Sequence, residues 1–302
     1  MKTDFVADVV IIGGSTAGLS AALTLGRAMR RVVVLDGGQP CNRQTPHSHN
    51  FFTRDGETPA QLLALGRAQL QAYPTVHLQT ATVTQAARKD DLFQLTTAEG
   101  QTFWGRRVLL ATGVHDQLPP VPGFAESWGI SVLHCPYCHG YEVSGQALGV
   151  LGNGDMGFEF ARLIRHWTPD LQLFTNGPST LSAAQVTQLV AHGVRIVEAP
   201  LIEIEHSKGQ LHHLRLAGEL RRQLTALYAR VPFVLPGTLA QQLGCELTEQ
   251  GLIRVNEVGQ TSVPGVSAAG DNSIPMRQLA LAAANGSKAG AFLNNELIEK
   301  EF

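Results

Sequence analysis

One pattern, met twice, restricts this chain more than any other feature: an apolar run, a glycine-rich turn, a helical repeat and a second apolar run. Residues 4–12 are rich in Val and Ile and break at Gly13-Gly14-Ser15-Thr16-Ala17-Gly18, after which helical spacing over 19–29 leads to a buried strand at 31–35 ending on Asp36. Residues 147–151 begin the pattern again, entering Gly152-Asn153-Gly154-Asp155-Met156-Gly157, a helix to about 166 and a strand over 171–174. Each is a strand, turn, helix and strand of the kind a dinucleotide-binding βαβ unit requires. The Pro-rich stretch Leu118-Pro119-Pro120-Val121-Pro122-Gly123 lies between them, so the spacing predicts two α/β domains joined by a hinge.

Composition narrows the class. Of 302 residues, 44% are hydrophobic and 16% charged, ample for buried parallel strands and unlike a disordered chain. A formal charge of −2 without Lys/Arg runs offers no field for nucleic acid or an anionic membrane. No apolar stretch approaches the roughly twenty residues that span a bilayer. Residues 1–8 lack the basic, apolar and cleavage regions of a secretory signal, so a cytoplasmic location is expected. The four cysteines, at 41, 135, 138 and 245, are too sparse for a disulfide framework. After the second glycine turn, strand-like segments fall at 194–197, 201–205 and 211–216, short strands at 251–270, and an Ala-rich helix over 277–296.

In the first turn a close backbone and a helix N-terminus suit a pyrophosphate. Asp36, 23 residues beyond Gly13, stands where a carboxylate accepts hydrogen bonds from ribose hydroxyls. Ser15 replaces the middle glycine of the pattern, with a modest loss of clearance.

His134-Cys135-Pro136-Tyr137-Cys138-His139-Gly140 is the most informative heptapeptide. Two cysteines at this spacing can close a small disulfide ring, and flanking histidines supply positive charge or a proton carrier. Other readings compete. A zinc site needs roughly four ligands and no second ligand pair is visible, so no metal is expected. Haem attachment through Cys-x-x-Cys-His accompanies export, for which there is no signal. Two inert buried thiols are the third. Cys41 and Cys245 are isolated and read as ordinary small residues.

Further along, Val108-Leu109-Leu110-Ala111-Thr112-Gly113 is a strand ending in small residues, and Ala268-Ala269-Gly270-Asp271 precedes Arg277-Gln278. The two glycine turns, these segments and the cysteine pair, in this order, resemble the low-molecular-weight thioredoxin reductases of the pyridine nucleotide-disulfide oxidoreductases over nearly the whole chain. The Cys-x-x-Cys-His-Gly arrangement is similar to a branch that includes gliotoxin-type dithiol oxidases. The resemblance implies an α/β fold of two Rossmann-like three-layer dinucleotide-binding domains, the second inserted in the first: residues 1–116 and 237–302 for FAD, 117–236 for the cysteines and an NAD(P)-type site. It implies a homodimer.

For FAD, the resemblance implies contacts from Gly13, Ser15, Thr16, Ala17, Gly18, Asp36, Gly37, Val83, Ala111, Thr112 and Gly113, from Asp271 at the ribityl and pyrophosphate region, and from Arg277, Gln278 and Leu279 toward the flavin ring. Asn50 falls where the family places a residue near the isoalloxazine; for its neighbours His47 and His49, surface or structural roles compete with flavin contact. Cys138 becomes the flavin-proximal sulfur and Cys135 the interchange sulfur. His139 stands where the family usually carries Asp as acid/base, with His134 as second candidate.

The electron source stays open. Gly152, Gly154 and Gly157 complete the glycine pattern, but counting the same 23 residues reaches Thr175, with neither an acid for NADH ribose nor the His-Arg-Arg run of NADPH-dependent relatives. Asn176, Arg162 and Arg165 are the polar candidates nearby. NADPH, NADH or neither therefore serves, and three functions follow: a disulfide reductase, a dithiol oxidase giving electrons to oxygen, or a non-enzymatic redox-sensing flavoprotein. The sulfur partner is a thioredoxin-like protein or a small-molecule dithiol or disulfide.

Overall fold

A computed structural model describes residues 6–302, so positions 4 and 5 of the first apolar run lie outside the described residues. The chain divides into two compact units: one holds the stretch up to Arg43, Asn50–His115 and Phe233–Phe302; the other holds Gln44–His49 and Asp116–Pro232.

The first unit is built on a seven-stranded sheet. Strands Val76–Thr80, Val32–Asp36, Val6–Ile12 and Thr102–Leu110 run parallel in that order. Thr102–Leu110 forks: its first half pairs antiparallel with Leu92–Thr97, which pairs with Val83–Lys89, while its last residues pair parallel with Val266–Ala268. Both faces of the parallel core are covered, which is why its strands read as unbroken apolar runs. Val9, Ile11, Val32 and Val34 pack toward helices Thr16–Arg27 and Leu279–Glu301. Val10, Ile12, Val33 and Leu35 pack on the other side with Phe93, Leu95 and the short helix Leu239–Gln242.

Three boundaries differ from the spacing. The first helix begins at Thr16, within the glycine turn, and is over by Met29, which is exposed at φ 58°. The Ala-rich helix starts at Leu279 because Gln278 is extended, at φ −144°, and it continues to Glu301, where Arg30 and Arg106 hold the Glu301 carboxylate. Between 251 and 270 only Val266–Ala268 is a strand; the Asn256 side chain accepts from Val258 N and Gln260 N, a local turn that competes with ladder pairing.

The second unit has a five-stranded parallel sheet, ordered Arg195–Val197, Leu171–Phe174, Leu148–Leu151, Ala226–Ala229 and Val132–Leu133. Helix Gly154–Ile164 covers one face, burying Phe160 edge-on to Tyr228 at 6.1 Å. An antiparallel sheet of Leu201–Ser207, Gln210–Leu216 and Arg221–Gln223 joins a second core with Phe124, Trp128 and Leu227. Both units are thus α/β with parallel sheets.

Candidate functional site

In the first unit, Val6–Ile12 delivers the chain into a turn where Gly13 has φ 107° and its backbone abuts the end of the neighbouring strand: a Cβ there would stand 2.7 Å from Ala111 C. A side chain is excluded twice over. Ser15 sits at φ −92° as the residue before the helix, a conformation open to any residue, which explains why the middle glycine is dispensable. Its side chain does not cap the helix, and the first turn carries no acid. The leading amides of Thr16, Ala17 and Gly18 are therefore left to an anionic group, whose charge the helix dipole favours.

Other expected residues gather around this turn. A Cβ on Gly14 would lie 2.8 Å from Asp36 Cβ, so the Asp36 carboxylate stands over the turn. A Cβ on Gly270 would lie 3.0 Å from the Ala17 side chain, which brings Asp271 to the same place. Ala111 N donates to Ile12 O at 2.8 Å, fixing Ala111-Thr112-Gly113 beside Gly13. Gly37 lies against Thr82, and Arg277 Nε is 3.4 Å from Asp271 Oδ2, just ahead of Gln278 and Leu279. Val83 is 8% exposed with its side chain in the core, so only its main chain can serve a ligand. Asn50 is exposed, at φ 59°, its N–H donating to Asp55 Oδ1 at 2.6 Å.

Two members of this group carried no sequence signal. Arg67, on helix Pro59–Leu70, donates to Asp36 Oδ2 at 2.8 Å. Asn272 is fully buried; its amide donates to Leu110 O at 2.9 Å and Thr112 Oγ1 at 3.2 Å, while its own Oδ1 has no hydrogen-bond partner. An orphaned buried carbonyl, uncapped amides and a turn too tight for side chains together fit a dinucleotide such as FAD.

The second unit's glycine turn differs. Asn153 Oδ1 accepts from Gly154 N at 2.9 Å and Thr180 N at 2.8 Å, and its amide donates to Pro178 O at 2.9 Å. The helix N-terminus is thus capped by its own chain, and Asp155 in its first turn adds a negative charge. The polar candidates around it are engaged elsewhere: Asn176 Oδ1 accepts from Leu201 N, Arg162 pairs with Glu159, and Arg165 donates to His192 O and Thr168 O. Thr175 is buried, its hydroxyl donating to Gly177 O at 2.7 Å. Gly152 and Gly157 pack against each other, since a Cβ on Gly157 would lie 2.6 Å from Gly152 C.

Cys135 and Cys138 form a disulfide across the short helix Pro136–His139. Cys135 is 9% exposed and Cys138 more open. Gly140 is pressed against Trp167, where a Cβ would meet Nε1 at 2.6 Å, and Trp167 in turn meets Tyr137 edge-on at 5.6 Å. His134 stacks on Trp128 at 5.8 Å, and Trp128 Nε1 donates to Asp116. His139 lies with His49, their rings 6.5 Å apart and nearly perpendicular, and His49 Nε2 is 3.4 Å from Glu142 Oε1. Burial pushes the His139 imidazole below its ordinary value, with the Glu142 charge opposing that shift and His49 adding to it. Burial also raises the thiol of Cys245, as befits a structural cysteine. Among the described residues no cluster of His, Cys, Asp or Glu could hold a metal ion, and no helix is long and apolar enough to cross a membrane.

The model of the pyridine nucleotide-disulphide oxidoreductase family matches residues 7–289. The chain is 33% identical to thioredoxin reductase tcpT of Claviceps purpurea over 309 aligned residues, covering 99% of this chain and 96% of that protein. Among solved structures it is similar to an oxidoreductase from Agrobacterium tumefaciens, with TM-score 0.92, 35% identity and coverage of 98% and 99%. It is likewise similar to HlmI, with TM-score 0.92, 36% identity and coverage of 100% and 95%. A dinucleotide cradle in one unit and a disulfide beside a half-buried histidine in the other agree with that match, and the chain belongs to the pyridine nucleotide-disulphide oxidoreductases as a thioredoxin reductase-like, FAD-dependent disulfide oxidoreductase.

Proposed function

We propose that the Cys135–Cys138 disulfide exchanges electron pairs with an external thiol or disulfide, Cys135 meeting the sulfur substrate and Cys138 facing the flavin. The observation that carries this reading is the disulfide itself, closed next to His139, an imidazole that can carry a proton. Flavin, when bound, supplies the two-electron store. Gly13, Ser15, Thr16, Ala17 and Gly18 hold its pyrophosphate, Asp36 its ribose, and Asp271 its ribityl region. The substrate is a thioredoxin-like protein or a small-molecule dithiol or disulfide, and family resemblance supports a homodimer, a hinge between the units and a cytoplasmic setting.

A second reading, in which thiols are oxidised and oxygen takes the electrons, is favoured by one observation: the second glycine turn is capped by Asn153, strapped to Thr180 and faced with Asp155. An anion arriving there meets a used amide and a like charge. Anaerobic titration of the holoprotein separates the cases. Bleaching of the flavin by dithiothreitol is expected, and its absence refutes sulfur exchange. Unchanged colour with NADPH and NADH supports the oxidising direction, whereas prompt bleaching by either establishes the reductase direction.

A further inference from the structure

The exchange proposed above needs a proton acceptor that works repeatedly, and an imidazole whose proton affinity is lowered by partial burial is a poor one without help. Glu142, held by a residue distant in sequence, supplies that help to His139. Glu142 follows it by three residues, in the turn that ends the cysteine helix, and its side chain is 41% exposed. His49 arrives from the segment Gln44–His49, which packs as part of the same unit, and meets both partners: the Glu142 carboxylate at 3.4 Å and the His139 ring at 6.5 Å.

We propose that Glu142 is a positioning residue for sulfur exchange: anchored by His49, its carboxylate places a negative charge beside His139 so that the ring can accept the proton each attacking thiol gives up. The inference rests on the exchange role of Cys135–Cys138. An external thiol passes its proton to His139, and the resulting thiolate attacks Cys135 Sγ. A new S–S bond forms as the Cys135–Cys138 bond breaks, and the electron pair leaves on Cys138 as a thiolate balanced by the imidazolium. A second thiol of the substrate then displaces Cys135, which takes up that thiol's proton. The substrate has lost two electrons, the pair has gained them, and both protons are accounted for.

The charges around the imidazole set the sign. Glu142 favours protonation; His49, itself 6.4 Å from His47, opposes it, as does burial. Glu142 also faces the buried phenol of Tyr228 on strand Ala226–Ala229, whose ionisation burial and that carboxylate both suppress, so Tyr228 does not compete for the role.

The test is a histidine NMR titration of the oxidised holoprotein, with the His139 signal assigned by its loss in His139→Gln. Glu142→Gln should move the His139 inflection to lower pH by about half a unit, a roughly threefold loss of proton affinity. The pH profile for reduction of the disulfide by dithiothreitol should move the same way. Glu142→Asp, which keeps the charge, should restore most of both. Superimposable wild-type and Glu142→Gln titrations would overturn the proposal while leaving sulfur exchange standing. A wild-type disulfide that dithiothreitol cannot reduce would instead overturn the exchange reading beneath it.

Discussion

Alanine at Gly286 and alanine at Gly66 should change stability in opposite directions, although both glycines lie inside helices. A Cβ on Gly286 would stand 2.8 Å from Ala17 C and 2.9 Å from Ala17 Cα, and nearer still to the Ala17 oxygen. These are backbone atoms in the first turn of Thr16–Arg27, so nothing flexible can yield, and contact at about 3.5–4 Å requires the helices to part. Overpacking of this kind costs roughly 1–3 kcal/mol, against a gain of about 1 kcal/mol for Gly→Ala in a helix interior. The net is a loss of up to about 2 kcal/mol and a melting temperature lower by up to roughly 8 °C. At Gly66 the nearest atom is the Leu19 Cδ1 tip at 3.0 Å, which can rotate away, so the helix gain of up to about 1 kcal/mol survives. Thermal melts of apo- and holoprotein measure both. Because Ala17 sits where the pyrophosphate is expected, Gly286→Ala should also lose flavin on gel filtration more readily than Gly66→Ala. A Gly286→Ala melt at or above wild type would refute the close-packing argument.

Two further outcomes are expected. Cys138→Ser should abolish electron exchange with flavin, and turnover of a sulfur substrate at the wild-type rate would remove Cys138 from its assigned place. Stability of the oxidised protein should rise with pH through the window that ends at the ordinary histidine value of 6.5, because the folded His139 releases its proton below that value while the unfolded chain still holds it. Above the window this contribution is fully present, and it is lost as pH falls through the lower folded value. Urea melts at stepped pH, wild type against His139→Gln, report it; identical slopes would contradict the burial assigned to this ring.

What the sequence disclosed and what it hid follow from range. Val6–Ile12 and Val32–Asp36 were legible because strands covered on both faces must be apolar at every position. Cys135 and Cys138 were legible because their chemistry needs only local spacing. Arg67 at Asp36, Asn272 at Thr112 and His49 at Glu142 were not, since each partnership joins residues far apart in the chain and depends on where helices and loops dock. Nor did the pattern reveal that Asn153 caps the second helix: Asn is an ordinary residue in a glycine turn, and its partner Thr180 belongs to a loop beyond the next strand.

The assignment of Gln44–His49 to the second unit bears on any attempt to excise that unit as a cartridge. A gene fragment spanning only 116–232 would carry both cysteines and His139 yet leave His49 behind, so Glu142 would lose its anchor. Grafts or chimaeras cut at the two obvious borders should therefore import the sulfurs without the His49–Glu142 contact, and a faithful transplant must bring the six-residue ribbon along as a separate piece.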